Sequence, residues 1–234
     1  MQVRVFYQNL TSNSDFSNFI IKDEKIIHYL KNVLRLQKLA QVFVFNESSE
    51  LRCAIEAIDK KFVQFSVLEY VEKSEKLSKL TVFLPILKRD KLSFLISSIT
   101  QLGVENVIFY TSQHSSNSDK INFEKLELNM IESLEQCRGF TKTKIHKDIV
   151  KLKDIPKMSK DSILHIAYEK FLDPRVSKND KNTNKFLLIG PEGGFLESEI
   201  NFLISEQKCE FLNLGKRILR AEMAAIVAVA KLMD

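Results

Sequence analysis

Tryptophan is absent from the 234 residues, and glycine (6), proline (4) and cysteine (3) are scarce. So little glycine and proline excludes collagen-like and low-complexity chains. Cys53, Cys137 and Cys209 are scattered and odd in number, with no CxxC pair, disulfide framework or zinc framework. A reducing, cytoplasmic compartment is the expectation. No apolar run approaches the ~18 residues of a membrane span. The opening Met1-Gln2-Val3-Arg4-Val5 has no basic-then-apolar signal pattern. What is present is ordinary: 44% hydrophobic and 28% charged residues, a globular composition that excludes disorder throughout. At roughly 100–200 residues per domain, the length suits one large domain or two small ones.

Charge is unevenly placed. Lys and Arg number 35 against 30 Asp and Glu, a net +5. Residues 1–72 are neutral, so the excess lies beyond them. Within 141–160, lysines 142, 144, 147, 151, 153, 157 and 160 face only Asp148 and Asp154. Such a stretch is either a contact for a phosphate backbone or a solvated face. Charge alone favours the solvated face.

The chain changes character near residue 75. Before it, 3–8, 42–47, 51–58 and 62–71 are short, β-branched and aromatic, and read as strands. Polar connectors at 46–50 and 59–61 suit hairpin turns. One helix interrupts them, with Asp23 as cap and Ile26, Ile27, Leu30, Val33 and Leu34 at helical spacing. A compact β-barrel over 1–72 is the economical architecture. Residues 73–80 read as a linker. Over 81–234, strands at 81–87, 104–110, 162–168, 185–189 and 210–214 alternate with helices at 90–102, 122–138, 197–207 and 221–233. That alternation implies an α/β domain with a mostly parallel sheet covered on both faces.

Four of the six glycines lie in the last quarter. Leu187-Leu188-Ile189-Gly190-Pro191-Glu192-Gly193-Gly194-Phe195 is a buried strand ending in a glycine-rich turn. In parallel sheets, ligands bind beyond the carboxyl ends of strands, and glycine lets backbone approach them. The stretch is neither G-x-G-x-x-G nor G-x-x-x-x-G-K-[ST]. Glu192, Glu197 and Glu199 would compete with a phosphate at this helix start. A neutral or cationic ligand fits better, and S-adenosylmethionine meets that condition without being singled out by it. The second place, Leu214-Gly215-Lys216-Arg217-Ile218-Leu219-Arg220-Ala221-Glu222, leads into a helix whose 223–230 segment is apolar all round. Such a helix is buried against the core or against another subunit.

These two stretches resemble the signatures of the RsmE family of 16S ribosomal RNA uridine N3-methyltransferases, of the SPOUT class. Weaker similarity extends through His28-Tyr29-Leu30 with Val33-Leu34-Arg35, Leu102-Gly103-Val104 and Glu135-Gln136-Cys137-Arg138. Ala221 and Met223 stand where the family commonly has Thr, and Gln101 where it has Glu. The resemblance implies a SPOUT-type α/β domain with a deep trefoil knot, preceded by a PUA-like RNA-binding domain. It further implies a homodimer that binds S-adenosylmethionine between knot loops. Its substrate would be a uridine in the decoding region of 16S rRNA, in the small ribosomal subunit.

On that resemblance the cofactor residues are Leu164, His165, Ala167, Leu188, Ile189, Gly190, Pro191, Glu192, Gly193, Gly194, Leu214, Gly215, Ile218 and Leu219. Glu192 has two readings: a contact to the ribose or sulfonium, or a cap for loop amides. Uridine N3 must lose a proton to become nucleophilic, and negative charge then spreads to the ring oxygens. Arg220 is the candidate to stabilise that charge. Glu222 is the candidate to orient Arg220 or accept the proton. Arg4, Lys31, Arg35, Lys88, Arg89 and Arg138 are the candidate RNA contacts. Phe195 is a candidate to stack on an exposed base. His28, His114, His146 and His165 lack metal-ligand spacing, so no metal is expected. Two other readings remain open. One is a related methyltransferase acting on tRNA or a ribose hydroxyl. The other is a catalytically silent RNA-binding or assembly factor, against which the retained glycine loops argue.

Overall fold

A computed structural model describes residues 3–10, 17–72, 75–115, 121–160, 162–168 and 184–233. The first two residues and positions 73–74 of the expected linker lie outside the described residues. The chain divides into two compact units, Met1–Lys76 with Leu134–Thr141, and Leu77–Ser133 with Lys142–Asp234.

The first unit contains strands β1 (Arg4–Phe6), β2 (Asn18–Ile21), β3 (Gln41–Phe45), β4 (Ser49–Ile58) and β5 (Val63–Glu72) in the order β1-β3-β4-β5-β2. The β1/β3 pair is parallel and the others antiparallel. β1 and β2 end this order and do not pair with each other, so no backbone ladder closes the expected barrel among the described residues. Two register shifts between β4 and β5 bend the long hairpin instead. Helix α1 (Glu24–His28) starts where expected, with Asp23 Oδ1 accepting from the backbone N–H groups of Lys25 and Ile26. It continues as a π-helical turn over Tyr29–Val33. Ile27 and Leu30 enter a core with Val5, Ile21, Val44, Ile55 and Phe65. β2 was not expected. It is four residues long with one buried side chain, too little apolar pattern to read.

The second unit is an α/β fold. β6 (Ser78–Pro85), β7 (Val104–Thr111), β8 (Lys144–Lys151), β9 (Leu164–Ala167), β10 (Lys185–Ile189) and β11 (Cys209–Leu212) form a sheet in the order β11-β9-β10-β6-β7-β8, parallel at every pair. One face packs with α2 (Arg89–Gln101), α3 (Phe123–Cys137) and α6 (Ala221–Met233) through Leu95, Met130 and Ala225. The other packs with α4 (Ile155–Met158) and α5 (Glu197–Glu206) through Ile155, Ile200 and Leu203. Covered on both faces, the central strands β6, β7 and β10 are apolar runs, which is why they were legible. Because all six run the same way, their carboxyl ends share one edge.

One expectation needs correction and two gain detail. β6 starts at Ser78, inside the expected linker, because Ser78 already pairs with Val104. The basic stretch contains β8, an edge strand in which Lys144, Lys147 and Lys151 are exposed. Lysines there discourage edge-to-edge pairing. Finally, this chain's own core covers one face of α6 only. Ala225, Ala228, Val229 and Leu232 are buried, whereas Met223 is 43% exposed and Ala230 lies at the surface.

Candidate functional site

The glycine-rich turn after β10 and the basic loop after β11 meet at the carboxyl edge of the parallel sheet. Between them is a cavity of about 260 Å3 lined by Gly190, Pro191, Glu192 and Gly194 on one side. Ile218, Leu219, Arg220, Ala221 and Ala224 line the other side. A second cavity of about 120 Å3 is lined by Leu214, Gly215 and Tyr168. Ala167, Leu219 and Ala224 line both.

Backbone chemistry shapes the loop. Gly194 and Gly215 hold φ of +73° and +109°, in the left-handed region that favours glycine. A Cβ on Gly190 would come within 3.1 Å of the Phe195 ring, so the turn packs flat against that buried side chain. Phe195 meets Tyr168 edge-on with centroids 6.1 Å apart. It is therefore committed to the core, and the expected stacking role is corrected. The Gly194 N–H donates to the Pro191 carbonyl at 2.9 Å, closing the turn. The Glu192 carboxylate pairs with Lys91 of α2.

Lys91 lines the larger cavity and was not among the expected residues. The signal available was its place in Lys88-Arg89-Asp90-Lys91, just past a strand's carboxyl end, but the pairing with Glu192 spans 101 residues. His114 was also missed. Its Nδ1 lies 3.2 Å from the Gly193 carbonyl and 3.3 Å from that of Gly194, bracing the turn from β7's loop.

The expected cofactor residues thus separate into two groups. Ala167, Gly190, Pro191, Glu192, Gly194, Leu214, Gly215, Ile218 and Leu219 line the two cavities. Gly193 is exposed against His114. Leu164, Leu188 and Ile189 are fully buried strand residues with side chains in the sheet cores. His165 lies in the sheet row shared with Glu210 and Leu187, its Nδ1 3.6 Å from a Glu210 carboxylate oxygen. Burial lowers its pKa, Glu210 opposes this, and Lys185 adds to the lowering. At 3.6 Å the carboxylate makes no hydrogen bond to Nδ1. Burial and Lys185 therefore prevail, and the imidazole is neutral near pH 7. It lines neither cavity and is a packing residue.

Arg220 lines the larger cavity with an exposed side chain. Glu222 is 8% exposed in the first turn of α6, and its Oε2 has no hydrogen-bond partner. It makes no ion pair with Arg220 among the described residues. An unpaired buried carboxylate oxygen is costly unless a further group satisfies it.

Among the expected RNA contacts, Arg4 is corrected. Its side chain is 3% exposed, with Nε 3.0 Å from Glu50 and Nη1 donating to the Leu134 carbonyl at 2.7 Å. Further bonds reach Gly139, and the guanidinium sits over Phe45. Buried and with four hydrogen bonds to its own unit, the guanidinium is not presented to a phosphate. Lys31 pairs loosely with Asp59 at 3.9 Å. Lys88 and Arg89 are exposed at the start of α2. Arg35 and Arg138 are exposed and hold φ of +53° and +62° where glycine would be at ease. Arg138 falls in the first unit, not the second. No metal-binding cluster occurs among the described residues, and no described helix is long and apolar enough to cross a membrane.

The family described as RNA methyltransferase domain matches residues 73–233, and RNA methyltransferase PUA domain matches 21–68. Ribosomal RNA small subunit methyltransferase E of Rickettsia conorii is 33% identical over 209 residues, spanning 88% of this chain and 85% of that protein. Ribosomal RNA small subunit methyltransferase E 2 of Borreliella burgdorferi is 29% identical, spanning 94% and 93%. Among solved structures, a ribosomal RNA small subunit methyltransferase E from Neisseria gonorrhoeae bound to S-adenosyl methionine matches with TM-score 0.82 at 19% identity. That match covers 99% of this chain and 97% of the other, and shows the shared fold.

Proposed function

The chain belongs to the ribosomal RNA small subunit methyltransferase E family, and we propose that it methylates N3 of a uridine in 16S rRNA using S-adenosylmethionine. The observation that carries this reading is the pair of adjoining cavities at the carboxyl edge of the parallel sheet, with Arg220 lining the larger. The cavities suit the cofactor. They present apolar walls at Ala167, Leu219 and Ala224, and the larger carries a carboxylate at Glu192. Together they fall within the lower part of the roughly 300–1,000 Å3 of small-molecule sites.

When bound, S-adenosylmethionine supplies an electrophilic methyl group and leaves as the neutral thioether S-adenosylhomocysteine. The N3–H bond gives up its proton and an N3–CH3 bond takes its place. Arg220 stabilises the negative charge that spreads onto the uracil oxygens as the proton leaves. Glu222 lines neither cavity itself but follows Ala221, which lines the larger one; buried with one oxygen unpartnered, it is the acceptor we assign to that proton. Gly190, Gly194, Leu214, Ile218 and Leu219 bind and orient the cofactor through backbone groups and apolar contacts. The Lys91–Glu192 pair closes the cavity's side.

The same reading includes the deep trefoil knot, supported by the strand order and by the meeting of the carboxyl end of β9, at Ala167 and Tyr168, with the loops after β10 and β11. It includes a homodimer, supported by the apolar surface of Ile218, 84% exposed, and Met223 beside the cavity. It places the PUA unit and the helix-start residues Lys88 and Arg89 on RNA. Lys31, Arg35 and Arg138 act with the PUA unit. The strained backbone at both arginines supports a use beyond folding. The substrate is the small ribosomal subunit, in the cytoplasm.

The test is nucleoside mass spectrometry after incubating the protein and S-adenosylmethionine with small subunits that lack the modification. N3-methyluridine is the expected product. Arg220→Ala is expected to slow turnover about 10²–10³-fold with cofactor affinity retained. Cofactor binding without any methylated product would favour the silent RNA-binding factor.

A further inference from the structure

We propose that a third, basic cavity at the carboxyl ends of β7 and β8 is a phosphate subsite that holds the RNA backbone beside the target uridine. The proposal rests on the methyltransferase reading above and extends it to the substrate's path. The cavity measures about 440 Å3 and is lined by Ser112, Gln113, Lys151, Lys153, Ser198 and Glu199, among others.

The lysines distinguish it from an ordinary solvated face. Lys144 and Lys147 lie along the edge strand, where positive charge guards an open ladder. Lys151 is at that strand's last rung and Lys153 lies beyond it, in the 3-10 turn. Both are exposed, both line the cavity, and neither makes an ion pair among the described residues. Ser198, between Glu197 and Glu199 in the first turn of α5, adds a hydroxyl; the acidic helix start itself contributes no attraction, and the two lysines carry the site.

One lining residue is acidic. Glu199 Oε1 accepts the Gln113 N–H at 3.1 Å and Oε2 accepts the Leu196 N–H at 3.0 Å. Its two oxygens are thus directed to backbone donors. Asp148 and Asp154 flank the lysines in sequence, but over 142–154 five lysines oppose these two aspartates.

Position selects the occupant. Gln113, in the cavity wall, is followed by His114, whose Nδ1 contacts the carbonyls of Gly193 and Gly194. Gly194 lines the proposed cofactor cavity. The two sites therefore flank one short loop contact. A ligand recognised here carries spaced phosphates, and the cofactor has none. A polynucleotide running past the methyl donor does.

The experiment compares wild type with Lys151→Gln/Lys153→Gln and Lys151→Arg/Lys153→Arg. It measures KM for small subunits, RNA affinity across salt, and S-adenosylmethionine affinity. The glutamine variant is expected to raise KM and weaken RNA binding by about 10-fold. It should lower the slope of log affinity against log salt by roughly 1–2, as for one or two lost phosphate contacts. Cofactor affinity should hold, and the arginine variant should behave as wild type. Millimolar inorganic phosphate, used as a probe, should compete with RNA on wild type and less on the glutamine variant. Unchanged RNA affinity and salt slope in a folded glutamine variant overturn the subsite. A wild type that binds cofactor and RNA but never methylates overturns the functional reading instead, and the RNA-affinity comparison still decides the subsite.

Discussion

The Tyr110 hydroxyl donates a 2.6 Å hydrogen bond to the carbonyl of Ile189, the last residue of β10. β6 lies between the two strands, and its last residue, Pro85, is level with Tyr110 and has no N–H to give. The phenol therefore supplies a donor at the point where the chain leaves the sheet for Gly190. Burial, with the Glu199 carboxylate adding to it, pushes the phenol well above its ordinary pKa, so it remains a donor across the working pH range.

Tyr110→Phe removes that donor and leaves a buried carbonyl unsatisfied. The expected cost is about 1–3 kcal/mol of stability. Because the carbonyl adjoins the cofactor loop, affinity for S-adenosylmethionine should also fall. Thermal unfolding and a cofactor titration check the two effects. A variant with lower stability and unchanged affinity would separate this bond from loop position.

In the first unit, Arg4 joins elements far apart in sequence. Its guanidinium links Glu50 of β4 with the carbonyls of Leu134 and Gly139 while resting 4.0 Å above the Phe45 ring. Arg4→Met should cost about 3–5 kcal/mol, because it leaves Glu50 facing a nearly closed site without its partner. Arg4→Lys should rescue little, since an ammonium cannot reproduce a planar fork stacked on an aromatic ring. Denaturant unfolding of the three proteins gives the comparison. Equal stability of the lysine variant and wild type would reduce the clamp to simple charge.

The glycine loops were legible because their chemistry is local. A strand's apolar run, a turn that requires Gly194 at positive φ, and the following helix start all fall within a dozen residues. The central strands were legible for the same reason: burial on both faces writes a continuous apolar run. What stayed hidden depends on distant partners. Arg4 looks like a free cation until Leu134 and Gly139 arrive from 130 and 135 residues away. Lys91 and Glu192 are likewise unremarkable apart. β8 was hidden because an edge strand exposes its lysines, so Lys144–Lys151 reads as a charged loop. The helix at α6 is apolar all round, yet its own fold covers only the face of Ala225 and Val229.

Glu222 tests the assignment of a proton acceptor. Glu222→Gln keeps the shape and removes the charge from a buried site whose Oε2 has no partner. Turnover should fall about 10²–10⁴-fold, and the thermal midpoint should hold or rise, since the unpaired charge is gone. A variant that keeps full turnover and gains stability would make Glu222 a helix first-turn acid and nothing more.

His165 couples the stability of the parallel sheet to pH. Burial, and secondarily Lys185, lower its pKa below the ordinary value near 6.5 against the opposing pull of Glu210. The folded state therefore binds fewer protons than the unfolded chain between the lowered value and about 6.5. Stability rises with pH across that window. The contribution is complete above about pH 6.5 and is lost as pH falls through the folded value. Thermal midpoints measured from about pH 7.5 down to 5 should drop on the acidic side, and His165→Gln should flatten that part of the curve. A midpoint that rises on acidification, and does so only with the histidine present, would mean that the imidazole is charged and that Glu210, 3.6 Å away, prevails over burial.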